Sequence, residues 1–322
     1  MDSVTLLALA DPAEPQLALL QELRGVATIA IGDTPAACER TAPHADVVLN
    51  WLFGATVLQQ IWPMAERLQW VHTRSAGLDG MLFPEIVESP VVLTNARGVF
   101  SEILGEFTIG AVLYFAKDFR RLVVSQMAGQ WDPFDVTEVR GQTLGLVGYG
   151  DIGRAVAVRA HAFGMKVVGL RRRPELSRDD SCVTRVFPLE GMHQMLGISD
   201  YVVVVAPLTR ESRGMLGDAE FRAMKPAAVL INIGRGPVVE EAALVRALSE
   251  RRIRGAALDV FDTEPLPAGH PFYKLDNVLL SPHSADQTAD WKERTMRLFL
   301  ENFQRFRRGQ PLLNVVNKKL GY

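Results

Sequence analysis

Only two cysteines, Cys38 and Cys182, occur in 322 residues. That scarcity excludes a disulfide framework, and without paired ligand spacing around them it also argues against a zinc site, so no metal is expected. Neither charge is in excess: 35 lysines and arginines against 37 aspartates and glutamates leave a formal net charge of −2. Nucleic acid and membrane surfaces are therefore not expected as main partners. No apolar run approaches the length that spans a bilayer, and the opening MDSVTLLALADPAEPQ has an acid at position 2 and too short an apolar stretch for a secretory signal. Repeats and low-complexity linkers are missing as well. What is present is a core-forming composition, 48% hydrophobic, long enough for two domains in a reducing, cytoplasmic setting.

The most informative stretch is TLGLVGYGDIGRAVAVRAHAFGMKVVGLRRR, residues 143–173. A short β-compatible run, 143–147, is broken by Gly148, Gly150 and Gly153. Ile152, Val156, Val158 and Ala162 then follow at helical spacing, Gly164 closes the helix, and 166–170 is a second apolar run. Strand, glycine turn, helix and strand make the βαβ half of a dinucleotide-binding fold. A pyrophosphate must lie against main-chain N–H groups at a helix N-terminus, where unpaired donors and the helix dipole favour an anion. Cofactor contacts are therefore expected from Gly148, Tyr149, Gly150, Asp151, Ile152 and Gly153.

About 20 residues past such a motif an NAD-binding chain places an acid on the ribose 2′-hydroxyl. Here Arg171, Arg172 and Arg173 stand instead, and no carboxylate precedes Glu175. Guanidinium groups at that point suit a 2′-phosphate, so NADP is expected over NAD, the bland alternative being a solvated basic turn.

Before the motif, residues 4–10, 28–31, 46–52, 70–73 and 91–94 read as strands separated by helix-like segments, one with a face of Leu17, Leu20 and Leu23. This rhythm predicts a separate small parallel α/β domain. Its candidate functional loop is Thr73-Arg74-Ser75-Ala76-Gly77, where N–H groups at Ser75, Ala76 and Gly77 are offered to a carboxylate; a plain βα turn is the alternative. Residues 100–117 predict a helix with Phe100, Ile103, Leu104, Phe107, Ala111, Tyr114 and Phe115 on one face.

After the motif, apolar strands are expected at 201–206, 229–233, 255–260 and 278–280, and a last helix at 288–307. Pro207, Thr209, Ile233, Arg235, Asp259 and His283 stand at the carboxyl ends of these strands, where α/β folds gather their active sites. Pro207, Thr209, Ile233 and Asp259 are expected to face the cofactor.

The motifs GYGDIG, INIGRGPVVE, ALDVFDTEPLP and LLSPHSADQT, in that order and spacing, resemble the D-isomer-specific 2-hydroxyacid dehydrogenases, in the branch of glyoxylate and hydroxypyruvate reductases. The resemblance spans most of the chain. It implies two doubly wound parallel-sheet α/β domains: a Rossmann nucleotide domain, 99–286, inserted in a flavodoxin-like substrate domain of 1–98 and 287–322. It further implies that Arg235 clamps the substrate, His283 is the acid/base, Glu264 is its carboxylate partner, and Asp259 lies beside the nicotinamide. A homodimer is implied, with residues 100–134 as the interface.

These roles agree with the chemistry. Hydride delivery to a 2-keto carbon creates an alkoxide that needs a proton near neutral pH, the task of a histidine. The arginine fork suits a carboxylate beside a carbonyl. The expected activity is NADPH-preferring reduction of a small 2-keto acid, with an NAD(P)-sensing, corepressor-like binding protein or a D-lactate or branched-acid dehydrogenase as alternatives. Two departures from the family pattern stand out. Gly234 precedes Arg235, and Ser284-Ala285-Asp286-Gln287 follows the histidine where many relatives carry glycines. Asp286 is expected to cap the last helix; the alternative is a place near His283, where it would shift the histidine's pKa.

Overall fold

The structure, a computed structural model, describes residues 3–177 and 179–321. The chain divides into two compact units, one of Met1–Phe100 with Thr288–Tyr322 and one of Ser101–Gln287.

In the first unit five parallel strands, β1 (Val4–Leu9), β2 (Ala27–Gly32), β3 (Val47–Asn50), β4 (Trp70–Thr73) and β5 (Val92–Thr94), lie in the order β2-β1-β3-β4-β5. Side chains alternate across the sheet. Leu7, Leu9, Val48 and Val71 pack on one face with Leu58, Ile61 and Ile86, while Leu6, Ala8, Leu49 and Trp70 pack on the other with Leu20, Leu23, Phe299 and Phe303. The closing helix Trp291–Arg307 thus belongs to this core. Trp70 stacks on Phe299 with centroids 5.4 Å apart, so truncating Phe299 to alanine would cost about 3–5 kcal/mol.

The Leu17–Leu20–Leu23 face is buried, but on a 3₁₀ helix, Pro15–Leu23. A spacing of three residues matches the three residues per turn of that tighter helix. Past the last helix, Val315 bridges Thr94, and Lys318 Nζ donates to the carbonyls of Ile86, Ser89 and Val91 at 2.8, 2.6 and 2.8 Å, pinning the tail where the helix Pro84–Glu88 ends.

The second unit holds seven parallel strands: β6 (Thr143–Val147), β7 (Lys166–Leu170), β8 (Arg185–Phe187), β9 (Tyr201–Val204), β10 (Val229–Asn232), β11 (Gly255–Leu258) and β12 (Val278–Leu280), ordered β12-β11-β10-β9-β6-β7-β8. The chain runs outward through β7 and β8, then returns to β9 on the other side of β6. The crevice at the carboxyl ends of β6 and β9 is therefore the topological switch point, where open α/β sheets bind their ligands.

Ser101–Ala116 forms the expected helix, and Phe100, Leu104, Ala111 and Phe115 of the predicted face are buried, but the centre of the buried face is displaced from the one predicted. Leu104, Gly105, Thr108, Ile109, Val112 and Phe115 are buried, while Ile103, Phe107 and Tyr114 are half-exposed. Close approach to a neighbouring helix explains the displacement. A Cβ on Gly105 would lie 3.0 Å from Arg159 Cδ and 3.2 Å from the Ala155 carbonyl, both on the helix Asp151–Ala162. Small residues mark that contact, and a count of large apolar residues overlooks them.

Candidate active site

At the switch point each glycine of GYGDIG has its own steric reason. Gly148 has φ +98°, and a Cβ there would meet the Ala206 nitrogen at 2.8 Å. One on Gly153 would meet the Gly148 carbonyl at 2.8 Å, whereas one on Gly150 would meet nothing within 4 Å. Gly150 thus opens toward the space a ligand enters. Helix Asp151–Ala162 begins there with a glycine N-cap that supplies no side-chain acceptor, and no protein acceptor faces the Asp151 and Ile152 N–H groups among the described residues. These donors fit a dinucleotide pyrophosphate.

The Asp151 carboxylate is turned aside, accepting from the Ser101 hydroxyl. Tyr149 offers only its backbone. Its ring is buried under Gly169 and its hydroxyl donates to Asp180 at 2.9 Å.

At the end of β7, Arg171 donates to Ser177 Oγ at 2.5 Å, Arg172 pairs with Glu211 at 2.5 Å, and Arg173 is exposed. Beyond β9, the loop bearing Pro207 and Thr209 is pinned by Ser212. Its hydroxyl donates to the Pro207 carbonyl at 2.6 Å and accepts from the Thr209 N–H at 2.8 Å. The reading of the sequence missed Ser212, although the Thr-x-x-Ser spacing of a hydroxyl-capped turn was there to be seen.

Across β10, β11 and β12 the polar strand-end residues form a connected group. The imidazole Nδ1 of His283 lies 2.6 Å from Glu264 Oε2, and the other oxygen of Glu264 accepts from the Phe261 N–H at 2.9 Å. The carboxylate therefore orients the ring, leaving Nε2 without a protein partner among the described residues. A ring held in this way can take up and release a proton at Nε2.

His283 sits at φ +51°, an uncommon conformation for a residue other than glycine. Asp259, 2% exposed, holds that turn. Its Oδ1 accepts from Ser281 Oγ at 2.6 Å and from the Ser284 and Ala285 N–H groups at 3.0 and 3.1 Å, a positioning task that the reading of the sequence did not assign. Ile233 is buried. Arg235 follows Gly234, whose carbonyl accepts from its Nη1 at 2.9 Å. A Cβ on the next residue, Gly236, would fall 2.0 Å from the Phe261 carbonyl carbon, so only glycine lets these two loops touch.

Asp286 does not cap the last helix. That helix starts at Trp291 with Asp290 as its N-cap. The turn after His283 folds back instead, with the Gln287 N–H on the Ser284 carbonyl at 3.1 Å and Gln287 Nε2 on the His283 carbonyl at 2.8 Å. Asp286 thereby joins the charges of His283, Asp259 and Arg235. Burial raises its pKa above the ordinary carboxyl value, Asp259 adds to the rise, and His283 and Arg235 oppose it.

In the first unit the loop after β4 presents free backbone donors. Ser75 N–H makes a long contact of 3.5 Å to Thr73 Oγ1, while the N–H groups of Ala76 and Gly77 face no protein acceptor among the described residues. The loop is fixed from behind, where Asn95 Nδ2 donates to the Ala76 carbonyl at 2.7 Å and the Ala96 N–H to the Ser75 carbonyl at 3.1 Å. Beneath it His72 is fully buried, its Nδ1 2.7 Å from Thr94 Oγ1, and desolvation lowers its pKa from 6.5 to about 3.

A dinucleotide cradle at a switch point, with an oriented histidine–carboxylate pair at the ends of neighbouring strands, is the layout of a nicotinamide-dependent dehydrogenase. The family model for the NAD binding domain of D-isomer specific 2-hydroxyacid dehydrogenases matches residues 109–285. A glyoxylate reductase of Thermofilum pendens is 35% identical over 321 residues, 95% of this chain and 92% of that protein.

Two crystal structures share the architecture. One is a D-isomer specific 2-hydroxyacid dehydrogenase from Xanthobacter autotrophicus Py2 in complex with NADPH and MES, 28% identical with a TM-score of 0.83 over 100% of both chains. The other is an NADPH-dependent glyoxylate/hydroxypyruvate reductase from Sinorhizobium meliloti in complex with NADP and sulfate, 26% identical with a TM-score of 0.86, again over 100% of both. The chain belongs to the D-isomer specific 2-hydroxyacid dehydrogenases. It is an enzyme of two parallel-sheet α/β domains with an NAD-binding domain as its second unit.

Proposed function

We propose that this enzyme is an NADPH-preferring reductase of small 2-keto acids, glyoxylate and hydroxypyruvate foremost, yielding the D-2-hydroxy acid. The observation that carries the reading is the His283–Glu264 pair at 2.6 Å with Nε2 left for a substrate. A bound nicotinamide dinucleotide supplies the hydride. Protonated His283 delivers its Nε2 proton to the carbonyl oxygen as negative charge develops there, and Glu264 steadies the imidazolium and its orientation. Arg235 holds the acid's carboxylate and carbonyl oxygens by its fork. In the first unit, the Ser75, Ala76 and Gly77 N–H groups bind a carboxylate.

The preference for NADPH rests on Arg171, Arg172 and Arg173 at the end of β7, and is supported by the NADPH and NADP bound in the Xanthobacter and Sinorhizobium structures. Arg171→Asp is expected to weaken NADPH far more than NADH. A homodimer in the cytoplasm completes the reading. Val123, Val124, Met127 and Trp131 expose 54, 55, 84 and 96% of their surface, an apolar display that a second copy would cover; sedimentation of a monomer at micromolar concentration would refute the dimer.

The deciding assay follows NADPH and NADH oxidation with glyoxylate, hydroxypyruvate, pyruvate and phenylpyruvate. Turnover with NADPH is expected, together with its loss in His283→Ala while NADPH binding persists. Tight NADPH binding with no turnover on any acid would overturn the reductase.

A further inference from the structure

Among the described residues of the first unit, Arg74 stands out as a charged side chain held by aromatic rings rather than by an ion pair. Arg74 is half-buried and stands one residue before the Ser75–Gly77 loop. Its guanidinium carbon lies 4.5 Å from the centroid of the Phe53 ring and 5.8 Å from those of Trp51 and Trp291. Among the described residues it makes no side-chain hydrogen bond and no ion pair. The acid whose charge acts on it, Glu14, has both oxygens on Lys292 Nζ, at 2.9 and 3.1 Å. Desolvation lowers the guanidinium's pKa, so the charge sits in surroundings that give it aromatic faces but no acceptor.

A guanidinium held over aromatic rings uses none of its N–H donors in those contacts, the donors that grip a carboxylate bidentately. Partial desolvation strengthens such a bond once an anion arrives. The Trp51 indole N–H is also buried without an acceptor, a second unsatisfied donor in the wall of the box. Phe53, 85% exposed, is the outer wall, which solvent reaches.

We propose that Arg74, boxed by Phe53, Trp51 and Trp291, is a subsite for a second carboxylate on the substrate, selecting 2-keto dicarboxylic acids whose first carboxylate lies on the Ala76 and Gly77 N–H groups. This deepens the 2-keto acid reading above and rests on it. Glyoxylate has nothing to place at Arg74, and the hydroxyl of hydroxypyruvate is a neutral acceptor that gains less.

The test compares 2-ketoglutarate with 2-ketovalerate, equal in chain length and differing in the terminal carboxylate. Both kcat/KM with NADPH and the dissociation constant from calorimetry on the intact protein with NADP bound are measured. The native enzyme is expected to favour the dicarboxylate by about 10-fold or more in both measures. Arg74→Met should bring both ratios to about one, while Arg74→Lys, which keeps the charge without the fork, should retain part of the preference. Phe53→Ala, at the surface where folding is least affected, should reduce the ratio as the box opens to water.

A native ratio near one, or Arg74→Met with its preference intact, overturns the subsite. Turnover of glyoxylate or hydroxypyruvate with neither longer acid bound overturns it as well. If no keto acid is turned over but the binding ratio collapses in Arg74→Met, the reductase reading fails and the subsite stands.

Discussion

The two units share an architecture and differ in what they put at their strand ends. In the second unit the carboxyl ends of β6, β9, β10, β11 and β12 carry a glycine cradle, Arg235, Glu264, Asp259 and His283, with His283 bonded to Glu264 and its turn held by Asp259 through contacts of 2.6 Å. In the first unit the corresponding end of β4 carries backbone N–H groups and one arginine among aromatic rings. Both sheets are doubly wound and parallel, so the chemistry does not come from the sheet. It comes from the loops: those of the second unit carry titratable side chains beside oriented donors and those of the first carry oriented donors, which under the proposed function suits only the second to moving a proton.

The sharpest way to break that division is Arg235→Gln in the second unit. It is expected to lower kcat/KM for glyoxylate by about 10²–10³, with NADPH affinity kept; a loss under tenfold in steady-state assays would remove Arg235 from the transition state. The first unit should fail instead through its core. His72 titrates at about 3 when folded against 6.5 when exposed. A lowered folded pKa means that the unfolded chain binds the proton first, so stability present above pH 6.5 is lost as pH falls toward 3, by on the order of 4 kcal/mol. Urea unfolding monitored between pH 7 and 4 should show this slope, and His72→Phe should flatten it.

A smaller effect is expected when one oriented donor is removed. Ala76→Pro deletes an N–H group and should raise KM for the keto acid about tenfold while leaving NADPH binding alone; an unchanged KM would reduce the loop to a plain turn. Smallest is Asp286→Asn. The folded pKa of this carboxyl is raised by burial and by Asp259, so the stability linked to it is present below the ordinary carboxyl value and lost as pH rises. The asparagine variant should melt about 1–3 °C higher at pH 7, a gain that vanishes near pH 4 in a thermal scan.

Much of this molecule was legible in the chain itself. Every expected strand of both sheets formed, because buried parallel strands are short, continuous apolar runs bounded by turns. The GYGDIG turn was legible because only glycine satisfies its backbone and packing at Gly148 and Gly153. The edge strand β8 was not, since the Arg185–Phe187 segment is only 3 residues long and opens on a charge, and the face of Ser101–Ala116 was legible only in part because Gly105 and Thr108 carry no apolar signal.

Local pattern by itself determined the strands, the glycine turn and the residues waiting at strand ends, since periodicity and glycine sterics act over a few neighbours. Tertiary structure alone decided that Asp259 props the His283 turn, that Asp286 lies in the electrostatic surroundings of His283 rather than at a helix N-terminus, and that Arg74 lies among three aromatic rings. The first and last of these join groups well apart in the chain, Asp259 and His283 by 24 residues and Arg74 and Phe53 by 21. Their meeting is set by sheet order and loop closure, which leave no periodic mark on the chain.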